Sequence, residues 1–101
     1  MANRLDLQTI FENILGSRNV YFQPPASVKL KYPAIVYSRK DVDSIFANNG
    51  TYRNVPLYDV TLIDKNPDSP YIEKLLELPY CSFDRHYTAD NLNHDVFNIY
   101  Y

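Results

Sequence analysis

The stretch VPLYDVTLIDKNPDSPYIEKLLELP, residues 55–79, contains the clearest structural signals of this chain. Its first ten residues alternate between two faces, and Tyr58, Val60 and Leu62 share one of them, which predicts a strand. Asparagine, two prolines and an aspartate then predict a turn, with Ser69 as the cap of a short helix. That helix has about two to three turns and must dock on other elements to be stable. A strand followed by a docked helix favours an α+β fold.

The sequence before this stretch predicts one helix and two strands. Apolar residues at three- and four-residue spacing form one stripe of an opening helix, with Asn3 as its cap and Gly16 as its left-handed stop. Residues 19–22 indicate a short strand. Residues 32–37 are apolar on both faces, so we expect their strand to lie centrally in the sheet and to be covered on both sides.

A hairpin and two further strands complete the prediction. Residues 41–53 indicate an antiparallel hairpin with Asn48–Gly50 at its tip, because Asn and Gly tolerate the positive φ of tight turns. Residues 81–87 alternate and predict a half-buried strand. One face of that strand carries Cys81, Phe83, Arg85 and Tyr87. Residues 96–101 predict a last strand, whose outer edge we expect to be open to a neighbouring subunit.

Together these elements give the order α-β-β-β-α-β-β in a single domain of residues 1–101. We expect a mostly antiparallel sheet with both helices packed on one face. A chain of this size buries roughly 60–65% of its unfolded surface, so self-association would be a natural supplement to its stability. Ten tyrosines, with no tryptophan, mildly favour an assembly surface, because tyrosine has an apolar face and a polar tip.

The charge and composition narrow the class of partner. A net charge of −2 argues against a nucleic-acid-binding surface. Lys29, Lys31, Arg39 and Lys40 come closest to a basic cluster, and a solvated strand-and-loop face explains them more simply. No apolar run approaches the roughly 20 residues of a membrane span, so we expect no membrane partner. The first residues lack a signal-peptide pattern and the single Cys81 fits a reducing compartment, so we expect synthesis in the cytosol.

The densest group of potentially reactive side chains lies between Cys81 and Asp95. Its residues could supply a Cys81–His86 nucleophile pair or a His86/His94 metal site. Neither pair has the sequence spacing of a known catalytic or metal-binding motif. In a regular strand Cys81 and His86 fall on opposite faces, whereas Asp84 and His86 share one. A hydrogen-bonded polar hairpin explains the group more simply. With only two glycines there is no phosphate-binding loop, and we expect no cofactor, no metal and no enzymatic activity.

Several strings resemble small proteins from the head–tail gene block of long-tailed bacteriophages. They are NVYFQPP (19–25), KYPAIVY (31–37), YDVTLID (58–64) and HDVFNIYY (94–101). Together with the opening helix, the short helix at 69–78 and the order of elements, they make the chain similar to the tail terminator (tail tube terminator) group. The similarity spans nearly the whole chain, and its strings are structural rather than catalytic.

This resemblance implies a structural virion protein of the phage neck, made in the host cytoplasm and placed at the head–tail junction during tail assembly. Proteins of this group form a ring, usually of about six subunits, on the last ring of tail tube protein. They then receive a head-completion or connector protein. DNA would only pass through the lumen, without sequence-specific binding, and the mild acidity of the chain suits such a channel.

The hairpin and the terminal strand are the predicted surfaces of self-association. The hairpin would project toward an adjacent subunit or the tail tube; the alternative is a hairpin that lies flat on its own sheet. The predicted interface residues are Ile45, Phe46, Asn48, Asn49, Tyr52, Arg53, Phe97, Ile99, Tyr100 and Tyr101.

Two other functions stay open at this point. The first is another neck component, such as a tail-completion or head-completion protein. Stopper-type head-completion proteins are mostly β-barrels, so the two predicted helices argue against that placement. The second is a small metal-dependent enzyme that uses the His86/His94 region together with Asp84 and Asp95.

Overall fold

A computed structural model describes residues 3–46 and 52–101 as two helices and five strands. The elements are α1 Arg4–Leu15, β1 Val20–Phe22, β2 Ala34–Phe46, β3 Tyr52–Asp64, α2 Tyr71–Leu76, β4 Cys81–Ala89 and β5 Leu92–Tyr100. The predicted order α-β-β-β-α-β-β and the α+β class are confirmed.

The five strands form one sheet in the order β1-β2-β3-β5-β4. Only the β1–β2 pair is parallel, and the other three pairs are antiparallel. The terminal strand β5 therefore lies inside the sheet between β3 and β4. The prediction that this strand leaves an open edge is wrong, because β4 folds back onto the outer side of β5 through the turn at Asp90 and Asn91.

The opening helix begins and ends where its sequence predicts. The Asn3 side chain accepts a hydrogen bond from the Asp6 N–H at 3.1 Å, so one of the free N–H groups of the first turn is satisfied. Gly16 adopts φ 72° and donates its N–H to the Glu12 carbonyl, which closes the last turn. A side chain other than glycine would be strained in that left-handed conformation.

The core lies between the helices and one face of the sheet. Both helices contact each other, α1 contacts β1 and β2, and α2 contacts β4, so the predicted packing on one face is confirmed. The buried cluster consists of Leu7, Phe11, Leu15, Val20, Ile35, Tyr37, Tyr58, Val60, Leu62, Leu75, Phe97 and Ile99. As expected, β2 lies between two neighbouring strands. On its face away from the helices Ala34 is buried and Val36 is half-buried, so that face is covered in part.

The second helix differs slightly from its prediction. It begins at Tyr71, one residue later than expected, and Pro70 occupies the cap position. Ser69 is buried and its hydroxyl accepts the N–H of Tyr71 at 3.4 Å, so serine still satisfies the start of the helix. Leu75 is the buried anchor of this helix.

A polar network ties α1 to the strands beneath it. The Tyr37 hydroxyl accepts a hydrogen bond from Arg4 at 3.3 Å and donates one to the Gln8 side-chain oxygen. The Gln8 amide also donates to the Val20 carbonyl at 3.1 Å, and the Arg4 guanidinium lies 4.3 Å from the centre of the Phe22 ring. These contacts hold the three-residue strand β1 and the helix in one fixed arrangement.

We predict that Tyr37→Phe lowers the free energy of unfolding by about 1–2 kcal/mol, because the Gln8 oxygen and the Arg4 guanidinium lose a partner. The matched change Tyr87→Phe removes a hydroxyl from a partly exposed ring and should cost close to nothing. Urea unfolding of the wild type and both variants measures the two costs. Equal costs would contradict the prediction.

The same variant should alter the response to alkali. Burial raises the pKa of Tyr37 above its usual 10.0, although the Arg4 hydrogen bond opposes the shift. The folded chain therefore holds this proton more tightly than the unfolded chain, and stability is lost as pH rises above 10. The difference in stability between the wild type and Tyr37→Phe should shrink over that range.

Candidate subunit interface

The β2–β3 hairpin extends beyond the rest of the sheet. Its two strands pair from Ala34 with Ile63 to Phe46 with Tyr52. The pairing of β1 with β2 ends at Tyr37, and the pairing of β5 with β3 ends at Leu57. Beyond that point the described backbone is a two-stranded ribbon, here called the arm, formed by residues 42–46 and 52–56. A register shift between Arg39 and Asp41 marks its base.

The dimensions of the molecule match an arm that projects. The molecule measures 50 × 26 × 23 Å. A strand of thirteen residues, such as β2, spans about 43 Å, so the long dimension is set by the β2–β3 pair. The hairpin continues the sheet and does not lie flat on it.

Four of the predicted interface residues belong to the arm. Ile45 pairs with Arg53 and Phe46 with Tyr52 in the backbone ladder. Asn48 and Asn49 lie outside the described residues.

The four predicted interface residues of β5 and its end are placed differently. Phe97 and Ile99 are 0% and 2% exposed and belong to the core, so they are not available to another subunit in this fold. Tyr100 and Tyr101 are half-buried, and the Tyr101 N–H donates to the Pro56 carbonyl at 3.1 Å. The sequence prediction failed here because it treated the strand as an edge, whereas β5 has a neighbour on each side.

The actual outer edge on this side is β4, which the sequence analysis did not single out. Seven of its nine residues are exposed, and no other described strand pairs with its outer side. Tyr80, directly before the strand, is 80% exposed and has a positive φ of 60°. Phe83 and Leu76 are further exposed apolar residues on this side of the molecule. The sequence contained one indication of this edge, the apolar Phe83 between Ser82 and Asp84.

A bulge in β4 changes which side of the sheet its side chains lie on. The register shifts between Phe83 and Arg85, so the two residues face opposite sides of the sheet. Phe83 packs edge-on against Phe97 at 5.5 Å on the helix side, whereas Tyr87 stacks on His94 at 4.7 Å on the other side. The prediction that Cys81, Phe83, Arg85 and Tyr87 share one face is therefore wrong.

The bulge also separates the two histidines. His86 moves to the helix side, the same side as Cys81, and contacts Asp95 through its Nδ1 at 2.7 Å. His94 lies on the opposite side, with its Nδ1 3.2 Å from the Leu92 carbonyl oxygen. A metal site that needs both imidazoles is not formed in this fold. Among the described residues no group of three or more His, Cys, Asp or Glu is placed to hold an ion.

The polar hairpin expected from sequence has one buried charge at its centre. The Asp95 side chain is 6% exposed, and that of His86 is 41% exposed. The His86 imidazole thus covers the Asp95 carboxylate, which the pairing of β4 with β5 has removed from water. This contact holds the edge strand β4 against β5.

Cys81 is partly buried and carries no feature of a nucleophile. Burial raises the pKa of its thiol from 9.0 to about 11. A thiol of that kind is protonated and unreactive at neutral pH, in agreement with a packing role.

No model of a known protein family matches this chain, and neither a curated protein nor a solved structure is significantly similar to it. None of the described helices is both long and apolar enough to span a membrane.

We predict that His86→Ala destabilises the fold by about 1 kcal/mol, because it leaves the Asp95 carboxylate buried without its partner. In an Asp95→Asn background the cost should fall to roughly half or less, since a neutral hydrogen bond is weaker than a charge-assisted one. His94→Ala is the matched control, and its cost should be the same in both backgrounds. Denaturant unfolding of the four-member cycle tests this, and an unchanged His86→Ala cost in the Asp95→Asn background would contradict it.

Labelling of Cys81 should also be slow in the folded chain. At pH 8 the raised pKa leaves a thiolate fraction about 100-fold smaller than that of an ordinary thiol. The labelling rate with a disulfide reagent should keep increasing toward pH 11 in buffer and level off near pH 9 in urea. Equal rates in buffer and urea at pH 8 would contradict this prediction.

Proposed function

We propose that this chain is a non-enzymatic structural subunit of a bacteriophage neck. In this proposal about six copies form a ring that caps the tail tube and joins it to the head connector. The strings at 19–25, 31–37, 58–64 and 94–101 that resemble the tail terminator group support it. The order α-β-β-β-α-β-β on which that resemblance also rests is the order that the fold has.

The projecting arm carries the proposal. In the described part of the arm the two strands pair with each other and with no further strand, and at its base the Tyr101 N–H donates to the Pro56 carbonyl. A ribbon of two strands is marginally stable in water without further packing. A second protein surface, either an adjacent subunit or the tail tube, would supply that packing.

The same features also support the proposed placement within the neck. A ring subunit needs contacts on both of its sides, and the chain offers the arm and the open edge of β4 as separate surfaces. DNA would pass through the lumen without specific contacts, which the net charge of −2 favours weakly. The protein would be found at the head–tail junction of the virion, and in the host cytoplasm during assembly.

Other placements make different predictions. A tail- or head-completion protein would bind the head connector in preference to the tail tube. A metal-dependent enzyme based on His86 and His94 has less support, because the two side chains lie on opposite faces of the hairpin.

The test of the proposal is to shorten the arm. Residues 44–54 are replaced by Asn-Gly, so that a two-residue turn joins Asp43 to Val55, which are opposite each other in the ladder. The replaced segment lies beyond the part of the ladder that pairs with β1 and β5, so circular dichroism should show a folded chain with a thermal midpoint close to that of the wild type. Native mass spectrometry and negative-stain microscopy should show rings and capped tail tubes for the wild type and their loss for the shortened chain.

Two results would contradict the proposal. A wild-type chain that is monomeric and never associates with purified tail tubes would exclude the ring. Binding to head connectors without binding to tail tubes would indicate that the protein occupies another position in the neck.

A further inference from the structure

The charges of the chain are separated along the sequence. Residues 3–40 contain six basic and two acidic residues, whereas residues 64–101 contain three basic and seven acidic ones. The first segment therefore has a net charge of +4 and the last a net charge of −4. The overall value of −2 conceals this division.

The strand order turns this division into two opposite sides of the molecule. The first segment forms α1, β1 and the start of β2, and the last forms α2, β4 and β5. In the sheet order β1-β2-β3-β5-β4, strand β3 lies between the two groups. The helices follow the same division, since α1 contacts β1 and β2 while α2 contacts β4.

Most of these charges are exposed and available to a partner. On the basic side, Arg18 precedes β1, Lys29 and Lys31 lie on the loop after it, and Arg39 lies on β2. The Lys31 N–H donates to the Tyr21 hydroxyl and the Arg39 N–H donates to the Gln23 side chain, which attaches the loop and strand to the β1 edge.

The acidic side presents its charges on α2 and in the turns beside it. The exposed Asp84 is paired with Arg85, and the other exposed carboxylates are those of Asp68, Glu73, Glu77 and Asp90. In the described part of the chain, neither these four nor the four basic residues form an ion pair; the observed pairs are Lys40–Asp59, Arg85–Asp84 and His86–Asp95.

Exposed apolar side chains accompany the charges on both sides. Val28 and Tyr32 are exposed on the loop of the basic side. Leu76, Tyr80 and Phe83 are exposed on the acidic side. Apolar residues framed by charges are typical of protein interfaces.

We propose that copies of this chain associate head to tail, with the basic side of one copy against the acidic side of the next. This inference rests on the proposed ring and names the surfaces that would form it. The partner is a second copy because the two sides complement each other in sign and in size of charge, and both carry exposed apolar residues. A nucleic acid would bind the basic side alone and be repelled by the acidic one.

Charge reversal on each side tests the inference. Lys29→Glu with Lys31→Glu makes the basic side acidic, and Glu73→Lys with Glu77→Lys makes the acidic side basic. Each double variant should lose self-association by at least about tenfold, because like charges then face each other. An equimolar mixture should associate again, since the reversed sides complement one another. Sedimentation velocity and native mass spectrometry at low salt measure this, and the association of the wild type should weaken with added salt.

Lys65→Glu with Lys74→Glu is the matched control. It makes the same chemical change and the same change in net charge, but on the acidic side, so self-association should be retained. All variants change exposed side chains, and circular dichroism verifies that they are folded.

The outcomes separate this inference from the proposed function. If the wild type forms rings and both reversed variants form them equally well, the head-to-tail surfaces are wrong and the ring stands. If the variants and their mixture behave as expected but the wild type never caps tail tubes, the surfaces stand and the neck function is wrong. A wild type that is monomeric at every salt concentration overturns both.

Discussion

The antiparallel ladder between β2 and β3 is the constraint on which the rest of the structure depends. The same register places Ile35 opposite Leu62 and Tyr37 opposite Val60 under the helices, and Phe46 opposite Tyr52 in the arm. A slip of one residue would turn the core face outward. The bulge at the base of the arm lies where the ladder loses its other neighbours, and such a bulge increases local twist. The packing of the core thereby sets the direction of the arm.

Tyr37 connects the β2–β3 ladder to the basic side of the molecule. Its ring lies 5.2 Å from that of Phe11, 5.0 Å from that of Phe22 and 6.0 Å from that of Tyr58, which joins α1, β1 and β3 at one point. β1 has three residues, too few for a stable edge by themselves. Because this cluster and the hydrogen bond from Gln8 hold β1, the loop after it has a fixed place beside the sheet.

The sequence predicts those features that depend on neighbouring residues. Spacing and caps identified α1, and the alternation of Tyr58, Val60 and Leu62 identified the buried face of β3. The Asn-Asn-Gly motif predicted a hairpin, and β2 and β3 on either side of it pair as one. The sequence did not predict that β5 lies inside the sheet, because strand order depends on pairing between distant segments. Nor did it predict the bulge after Phe83, which has no signature in its local alternation. Both errors affected the candidate site.

Strand order also decides which kind of self-association the charges favour. A two-fold contact through one side would bring like charges together, whereas a head-to-tail contact brings opposite charges together. Head-to-tail contacts close into a ring only if each step turns by a fixed angle, and otherwise they form a filament. One flat side fixes that angle poorly. The described part of the arm extends about 16 Å beyond the point where β2 and β3 lose their other neighbours and would give each copy a second point of contact. Two separated contacts determine an angle, so the arm and the charged sides would act together in closing the ring.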